Sequence, residues 1–169
     1  MHKNAELIFE KYALPFIADG VRVLDVGAGK KFWKSPFVCL AKEHQWDYHF
    51  CDEANFGPQS SEFICMSSPY KIDCADGTFD VVIASQVIEH VVRPWLWVPE
   101  LARVTRSGGL VVLVCPLSWN WHPCPIDAFR VLPDGMQILF ENAGIKPKVL
   151  TFDCLDDGLN NQFTMGGKS

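Results

Sequence analysis

Two glycines one residue apart follow a short apolar run near the start of the chain. Asp25 stands within this run, and Gly27 and Gly29 come directly after it. Because glycine has no Cβ, the backbone can turn tightly at such positions and a ligand can approach it closely. The pattern favours a site for a nucleotide-like molecule at the end of a buried strand.

An acidic residue at a suitable distance strengthens this interpretation. Asp52 lies 23 residues after Gly29, close to the spacing of about 20 at which a carboxylate reaches ribose hydroxyls in nucleotide-binding α/β folds. Phe32 occupies the position where a dinucleotide fingerprint has its third glycine. A pyrophosphate-containing cofactor, and with it a nicotinamide-dependent oxidoreductase, is therefore disfavoured.

Two histidines are candidates for moving a proton. His90 and His122 both lie beyond the carboxyl ends of predicted strands, where ligands bind in open α/β sheets. For His90 the alternative is a packed, hydrogen-bonded residue at a helix start. For His122 a catalytic role and a structural role are equally supported, and Trp121 beside it could help to enclose an apolar acceptor.

Asp127 lies in the same loop, which runs over residues 117–129, and Arg130 comes directly after it. Arginine offers a planar fork to a carboxylate or phosphate, so the two residues could position a polar or anionic substrate. They could equally form one structural ion pair, and the sequence leaves both alternatives open.

Cysteine usage gives no sign of a metal or disulfide framework. The seven cysteines are scattered and never form a CxxC pair, and His122-x-Cys124 alone does not supply a zinc ligand set. The sequence therefore predicts no metal site and is typical of a protein of the reducing cytoplasm.

These residues need a scaffold, and the apolar pattern predicts one. Short runs rich in valine and isoleucine alternate with helical stretches, which is typical of a parallel sheet covered on both faces. The predicted strands are Val21–Val26, Tyr48–Cys51, Phe63–Met66, Phe79–Ala84 and Gly109–Cys115, with a weaker one at Lys148–Phe152. The predicted helices are Glu6–Ala18, Phe37–Glu43, Trp95–Val104 and Pro133–Ala143.

Length and composition limit the classes of protein to consider. With 169 residues and 49% hydrophobic content, the chain fits a single domain over residues 1–169. A net charge of -5 argues against nucleic acid as a partner. Charged residues interrupt the first twenty positions, so neither a secretory leader nor a membrane span is expected there.

The C-terminal stretch is polar and rich in glycine. Only Gln162–Met165 is a candidate for a short strand, so the last antiparallel strand of the sheet is expected to be short or missing. An exposed sheet edge of that kind could be covered by a second copy of the chain, which suggests a homodimer.

Four motifs in order resemble those of class I S-adenosylmethionine (SAM)-dependent methyltransferases, in the subgroup that acts on small molecules: VLDVGAG, CDE, DGTFDVVIASQVIEHV and ELARVTRSGGLVVLVCP. The resemblance implies an α/β fold, a Rossmann-like three-layer sandwich with a mostly parallel central sheet. It also implies SAM as cofactor and S-adenosylhomocysteine as product. The segment HPCPIDAFRVLPDGMQILFENAGI is similar to one in bacterial members associated with cell-surface saccharide or lipid pathways.

The resemblance assigns roles to residues at the ends of the first two strands. Asp25, Gly27 and Gly29 would border the methionine moiety of SAM. Asp52, helped by Glu53, would bind the ribose.

Further cofactor contacts are implied at the ends of the third and fourth strands. Ser85 and Gln86 would flank the sulfonium. Ser67 and Ser68 stand where an aspartate often contacts the adenine amine, which is a departure from the family pattern.

Two functions remain open at this point. The first is methyl transfer from SAM to a small-molecule or saccharide- or lipid-linked acceptor. The alternative is a catalytically degenerate SAM-binding domain with a regulatory or scaffolding role.

Overall fold

Eight strands form a single mixed sheet in the computed structural model, which describes residues 3–29, 35–53, 61–153 and 161–168. Their bounds are β1 Arg22–Val26, β2 Asp47–Glu53, β3 Phe63–Ser68, β4 Lys71–Ile72, β5 Phe79–Ser85, β6 Thr105–Pro116, β7 Ile145–Asp153 and β8 Asn161–Lys168. The order across the sheet is β4-β3-β2-β1-β5-β6-β8-β7.

The centre of the sheet is parallel and its two sides are not. Strands β3, β2, β1, β5 and β6 run parallel, whereas β4 pairs antiparallel with β3, and β8 pairs antiparallel with both β6 and β7. The chain moves outward from β1 to β4 and then returns to place β5 on the other side of β1. This reversal makes the carboxyl ends of β1 and β5 the point where a ligand is expected to bind.

Helices cover both faces of the sheet. They are α1 Lys3–Tyr12, α2 Pro36–Glu43, α3 Pro94–Val104 and α4 Pro133–Asn142. Helices α1 and α2 pack on one face in a cluster that includes Phe9 and Phe37, and α3 and α4 pack on the other with Trp97 and Phe140. The three-layer α/β sandwich predicted from the sequence is confirmed.

The first helix is shorter than predicted. It ends at Tyr12 instead of Ala18, and a single 3-10 turn, Leu14–Phe16, follows it. Pro15 explains the difference, because a proline removes a helical hydrogen bond and disfavours the helical conformation of the residue before it.

The last strand is complete, so the expectation of a short or missing one was wrong. Strand β8 has eight residues, and its backbone pairs along β6 and β7. Its glycines had suggested a loop, but they allow close packing here. A Cβ added to Gly166 would lie 2.4 Å from Cγ2 of Ile145, and one added to Gly167 would lie 2.7 Å from Cε of Lys148.

Two further sequence expectations concern the described residues as a whole. Within these ranges, none of the helices has the length and apolar character required to cross a bilayer. The cysteines that the structure describes are all free thiols: Cys39, Cys51, Cys65, Cys74, Cys115 and Cys124.

Candidate cofactor and acceptor site

The loop after β1 has the open backbone that the glycine pair predicted. Gly27 and Gly29 have φ angles of +77° and +73°, which favour glycine. The Gly27 N–H donates to the carbonyl of Cys51, 2.9 Å away, and a Cβ at Gly27 would lie 2.6 Å from Cγ2 of Val87. A Cβ at Gly29 would meet no atom of the described residues within 4 Å, so none of their side chains crowds the backbone there.

The carboxylate of Asp52 lies against this loop. The Gly29 N–H donates to Oδ2 of Asp52 at 2.7 Å. The acidic residue and the bare backbone are therefore neighbours at the ends of β1 and β2, as their spacing predicted. Glu53 pairs with Met66 in the sheet, and its side chain, like Phe32, lies outside the described part of the structure.

Asp25 is buried and ties three elements together. Its Oδ2 accepts from the hydroxyl of Tyr48 at 2.6 Å and from the hydroxyl of Ser35 at 3.5 Å. The same serine accepts from the N–H of Phe37 and caps α2. Burial raises the pKa of Asp25 to about 7. Its predicted place beside the methionine moiety stays a prediction.

The turn after β5 packs against the glycine loop. Ser85 is the last residue of β5, and Gln86 follows with a φ of +60°, which is unusual for a residue other than glycine. The Gln86 N–H donates to the carbonyl of Val114 at 2.7 Å, which anchors this turn to β6. Val87 comes next and makes the contact with Gly27. The two predicted sulfonium neighbours therefore directly precede the residue that packs on the glycine loop after β1, called the cofactor loop below.

Ser67 and Ser68 end strand β3 and are exposed. The hydroxyl of Ser68 accepts from the N–H of Tyr70 in the turn that leads to β4. This hydrogen bond shapes the hairpin, while contact with an adenine ring stays a prediction.

The fold brings the two candidate histidines together although they are 32 residues apart. Their rings meet edge to face, with centroids 5.1 Å apart. Nδ1 of His90 donates to the carbonyl of Ile126 at 2.5 Å, and Nδ1 of His122 donates to the carbonyl of Asn120 at 2.9 Å. In each neutral ring, Nε2 then carries the lone pair that can accept a proton.

Asp127 and Arg130 form the ion pair that the sequence left as an alternative. Both nitrogens of the guanidinium fork donate to the two carboxylate oxygens, and the Asp127 side chain is 1% exposed. The guanidinium holds the pKa of Asp127 well below its usual range. Asp127 also accepts from the backbone N–H of His122 at 2.9 Å and lies 3.2 Å from its Nδ1. The pair therefore orients His122, and direct substrate contact by either residue stays a prediction.

Glu89 is the residue at this site that the sequence analysis missed. Its side chain is 1% exposed, and within the described structure neither carboxylate oxygen has a hydrogen-bond partner. Burial raises the pKa of Glu89 to about 7. The carbonyl of Glu89 accepts from the N–H groups of Ala128 and Phe129, which joins its turn, Ile88–His90, to the loop that carries His122. A Glu-His pair was visible in the sequence, but the burial of the glutamate and its nearness to His122 were not.

Trp121 is largely exposed to solvent in this structure. Its side chain is 77% exposed, the largest fraction among the exposed large hydrophobic residues described. A role in covering an acceptor stays a prediction and requires the indole to pack on a bound molecule.

Comparison with known proteins places the chain in a family. The family model described as a methyltransferase domain matches residues 24–113, more than half of the chain. A curated relative from Mycobacterium sp. strain JLS, named "uncharacterized methyltransferase", is 38% identical over 96 residues. The match covers 56% of this chain and 38% of the relative, so the chain spans less than half the length of such relatives.

Solved structures share the fold at low sequence identity. A SAM-dependent methyltransferase from Archaeoglobus fulgidus has a TM-score of 0.73 and 18% identity, covering 97% of this chain and 94% of its own. One from Methanosarcina mazei has a TM-score of 0.71 and 14% identity, covering 93% and 97%.

The fold and the family model together define the class. The chain belongs to the class I SAM-dependent methyltransferases. The cofactor predicted from the sequence, SAM, is thereby confirmed as that of its family.

Proposed function

We propose that this chain, acting as one domain over residues 1–169, transfers the methyl group of SAM to a small-molecule or saccharide- or lipid-linked acceptor. The observation that carries the proposal is the hydrogen bond from the Gly29 N–H to the Asp52 carboxylate. It sets an acidic group beside open backbone at the point where the strand order reverses. An adenosyl group could bind there, with its ribose hydroxyls donating to Asp52.

The reaction requires alignment of the acceptor with the methyl group more than it requires activation of the donor. A lone pair of the acceptor forms a bond to the methyl carbon, the carbon–sulfur bond breaks, and its electron pair stays on sulfur to give S-adenosylhomocysteine. Holding the acceptor in line and excluding water contributes up to about 7–11 kcal/mol in well-oriented intramolecular systems. The turn of Ser85 and Gln86 would supply the sulfonium end of this alignment.

A hydroxyl or ammonium acceptor must also lose a proton. The cluster of Glu89, His90 and His122 lies directly after the turn that packs on the cofactor loop. Assistance of this kind contributes about 10²–10⁴-fold to the rate. We assign the deprotonation of the acceptor to this cluster, with Asp127 as the positioning residue for His122.

Calorimetric titration tests the cofactor part of the proposal. SAM and S-adenosylhomocysteine should both bind, and NADH should not. Asp52→Ala should weaken SAM binding at least tenfold, since a hydrogen bond to a charged group is worth about 1.5–3 kcal/mol. Asp19→Ala is the matched control, because Asp19 is an exposed carboxylate before β1 that pairs with His44. Absence of heat with both adenosyl compounds on folded protein would remove the basis of the proposal.

A SAM-binding domain without turnover is the second candidate. Ser67 and Ser68 favour it, since the hydroxyl of Ser68 is held by the backbone of Tyr70 and neither residue brings a carboxylate to the adenine. Incubation with methyl-labelled SAM and a panel of hydroxylated and amino acceptors separates the two functions. Transfer that is lost in Asp52→Ala supports the enzyme, whereas binding without any transfer supports the regulatory role. A cytoplasmic location stays part of the proposal.

A further inference from the structure

Three side chains that offer metal-ligand atoms meet beyond the end of β5. One ligand atom each from Glu89, His90 and His122 lies within 4.8 Å of the other two. Nε2 of His90 is 3.8 Å from Oε1 of Glu89. The ligands of a zinc ion are about 2 Å from the metal and so about 3–4 Å from one another. Side-chain adjustments of about 1 Å would close this set around an ion.

The two histidines are already oriented as metal ligands usually are. A metal-bound histidine normally donates its other ring N–H to a carbonyl or carboxylate, which fixes the ring. Nδ1 of His90 donates to the carbonyl of Ile126. Nδ1 of His122 lies near both the carbonyl of Asn120 and the carboxylate of Asp127. Nε2 is therefore the nitrogen that each ring has left for an ion.

Glu89 provides the independent sign that a ligand belongs here. Its carboxylate is almost fully buried, and neither of its oxygens has a hydrogen-bond partner within the described residues. Burial of an unpaired carboxylate is costly, and native proteins rarely keep one without a partner. A cation would supply the missing partner.

We propose that Glu89, His90 and His122 bind a divalent metal ion. Two imidazoles and one carboxylate suit first-row transition ions such as Zn²⁺, Co²⁺ and Mn²⁺, whereas Mg²⁺ prefers sites made of oxygen ligands. Three protein ligands leave a coordination position open. The spacing of the sequence motifs could not indicate this set, because His122 is 32 residues from His90.

The position of the ion gives it a role in the proposed methyl transfer, and only this role depends on that function. Val87, two residues before Glu89, contacts the cofactor loop at Gly27. An acceptor hydroxyl in the open position would have its pKa lowered by the metal and would release its proton to water. The oxygen would then form the bond to the methyl carbon while the carbon–sulfur bond breaks and its electron pair stays on sulfur. The cluster would thus assist the deprotonation through the ion that its two histidines hold.

Metal binding can be measured without any acceptor. Protein treated with a chelator and then freed of it is titrated with Zn²⁺, Co²⁺, Mn²⁺ and Mg²⁺ by calorimetry. We expect one transition ion per chain at this site, with at least tenfold weaker binding of Mg²⁺. Glu89→Gln and His122→Gln should each weaken Co²⁺ and Zn²⁺ binding at least tenfold.

Two control variants distinguish this site from other metal-binding groups. His44→Gln removes a histidine that also pairs with an aspartate, in this case Asp19, but lies outside the cluster. Cys124→Ser removes the exposed thiol nearest to His122 in the sequence. Neither change should alter binding at the site. Equal binding by wild type and both cluster variants, or no binding by wild type, would overturn the proposal.

Thermal unfolding gives a second test, because the difference in melting temperature between Glu89→Gln and wild type should change with metal. Without metal, Glu89→Gln should raise the melting temperature, because an amide is less costly to bury than a carboxylate. With Zn²⁺, wild type should gain melting temperature with increasing ion concentration, and Glu89→Gln should not. An equal gain of melting temperature with Zn²⁺ in wild type and in Glu89→Gln would contradict the proposal. Titration of the same samples with SAM keeps the two proposals separate. Failure to bind SAM would leave the metal-binding result intact, and failure to bind metal would leave the SAM-binding result intact.

Discussion

At Gly27 the cofactor loop packs against Val87 of the turn after β5. Two features oppose a side chain at Gly27: its positive φ, and the distance of only 2.6 Å between an added Cβ and Val87. Gly20 has a similar φ of +71° but no described atom within 4 Å of an added Cβ. The two positions therefore separate the cost of backbone strain from the cost of a clash.

We expect Gly27→Ala to destabilise the protein by about 2–5 kcal/mol, the sum of left-handed strain and overpacking. Gly20→Ala should cost only the strain, about 1–2 kcal/mol. Urea unfolding measures both. Adding Val87→Ala to Gly27→Ala should recover part of the loss, and equal effects of the two glycine changes would exclude the clash.

The buried carboxyl of Asp25 gives stability a dependence on pH. Burial raises its pKa from 3.8 to about 7 in the folded state. Between these values the folded protein keeps a proton that the unfolded chain has lost. The contribution of Asp25 to the unfolding free energy therefore falls as pH rises and is constant outside the window.

Asp25→Asn should remove this dependence. The unfolding free energy of the variant minus that of wild type should rise between pH 4 and pH 7, by on the order of 4 kcal/mol at most. Urea unfolding across this range measures the difference. Tyr48→Phe should move the upper limit of the window to higher pH, because the Tyr48 hydroxyl lowers the pKa of Asp25. Parallel pH profiles of Asp25→Asn and wild type would contradict the assignment.

Among the secondary-structure elements, helix α3 is joined to the short strand β4 by the hydrogen bonds of one arginine. Arg103 donates to both carboxylate oxygens of Glu100 and to the carbonyls of Ile72 and Cys74. Glu100, which is 8% exposed, also accepts from the N–H of Ile72. A two-residue strand would have little to hold it without this network.

Arg103→Met should therefore cost about 3 kcal/mol, because it leaves the buried Glu100 carboxylate with only the ammonium of Lys71, 4.0 Å away. Asp76→Ala removes only the exposed partner of the same guanidinium and should have a small effect. Chemical denaturation measures the two losses. Similar losses for both variants would show that the buried pair is not the source of the stability.

The elements that the sequence predicted well are those whose buried apolar residues recur at regular intervals along the chain. Strands β1, β5 and β6 and helices α3 and α4 have continuous apolar runs or stripes, because each buries a whole face in the core. The nearness of the Gly-x-Gly turn to Asp52 was also predicted, since the nucleotide-site pattern requires particular residue types at particular spacings. By contrast, β4 depends on the side chain of Arg103, and the site around Glu89 depends on contacts between distant loops. Such contacts produce no periodic pattern of residue types in a sequence.

At the scale of the whole molecule, the position of β8 changes the expectation for self-association. The predicted homodimer was based on an uncovered edge, but β8 fills that position and leaves β7 outermost. Lys146, Pro147 and Lys148 lie in β7, and lysine and proline on an outer strand discourage pairing with another sheet.

We expect no dimer through the β7 edge. If no other surface associates, light scattering coupled to gel filtration should give the monomer mass of 19.0 kDa at high concentration. A species of twice that mass that disappears on substitution within β7 would contradict this expectation. A homodimer through another surface stays a prediction from the sequence.

The order in which the strands are made differs from the order in which they lie. Strand β7 precedes β8 in the chain, yet in the sheet β8 separates it from β6. During synthesis on the ribosome, β7 therefore has no neighbour to pair with until residues 161–168 emerge and insert between two strands already made. A nascent chain halted before that point would hold a gap in its sheet, with two unsatisfied strand edges available to chaperones.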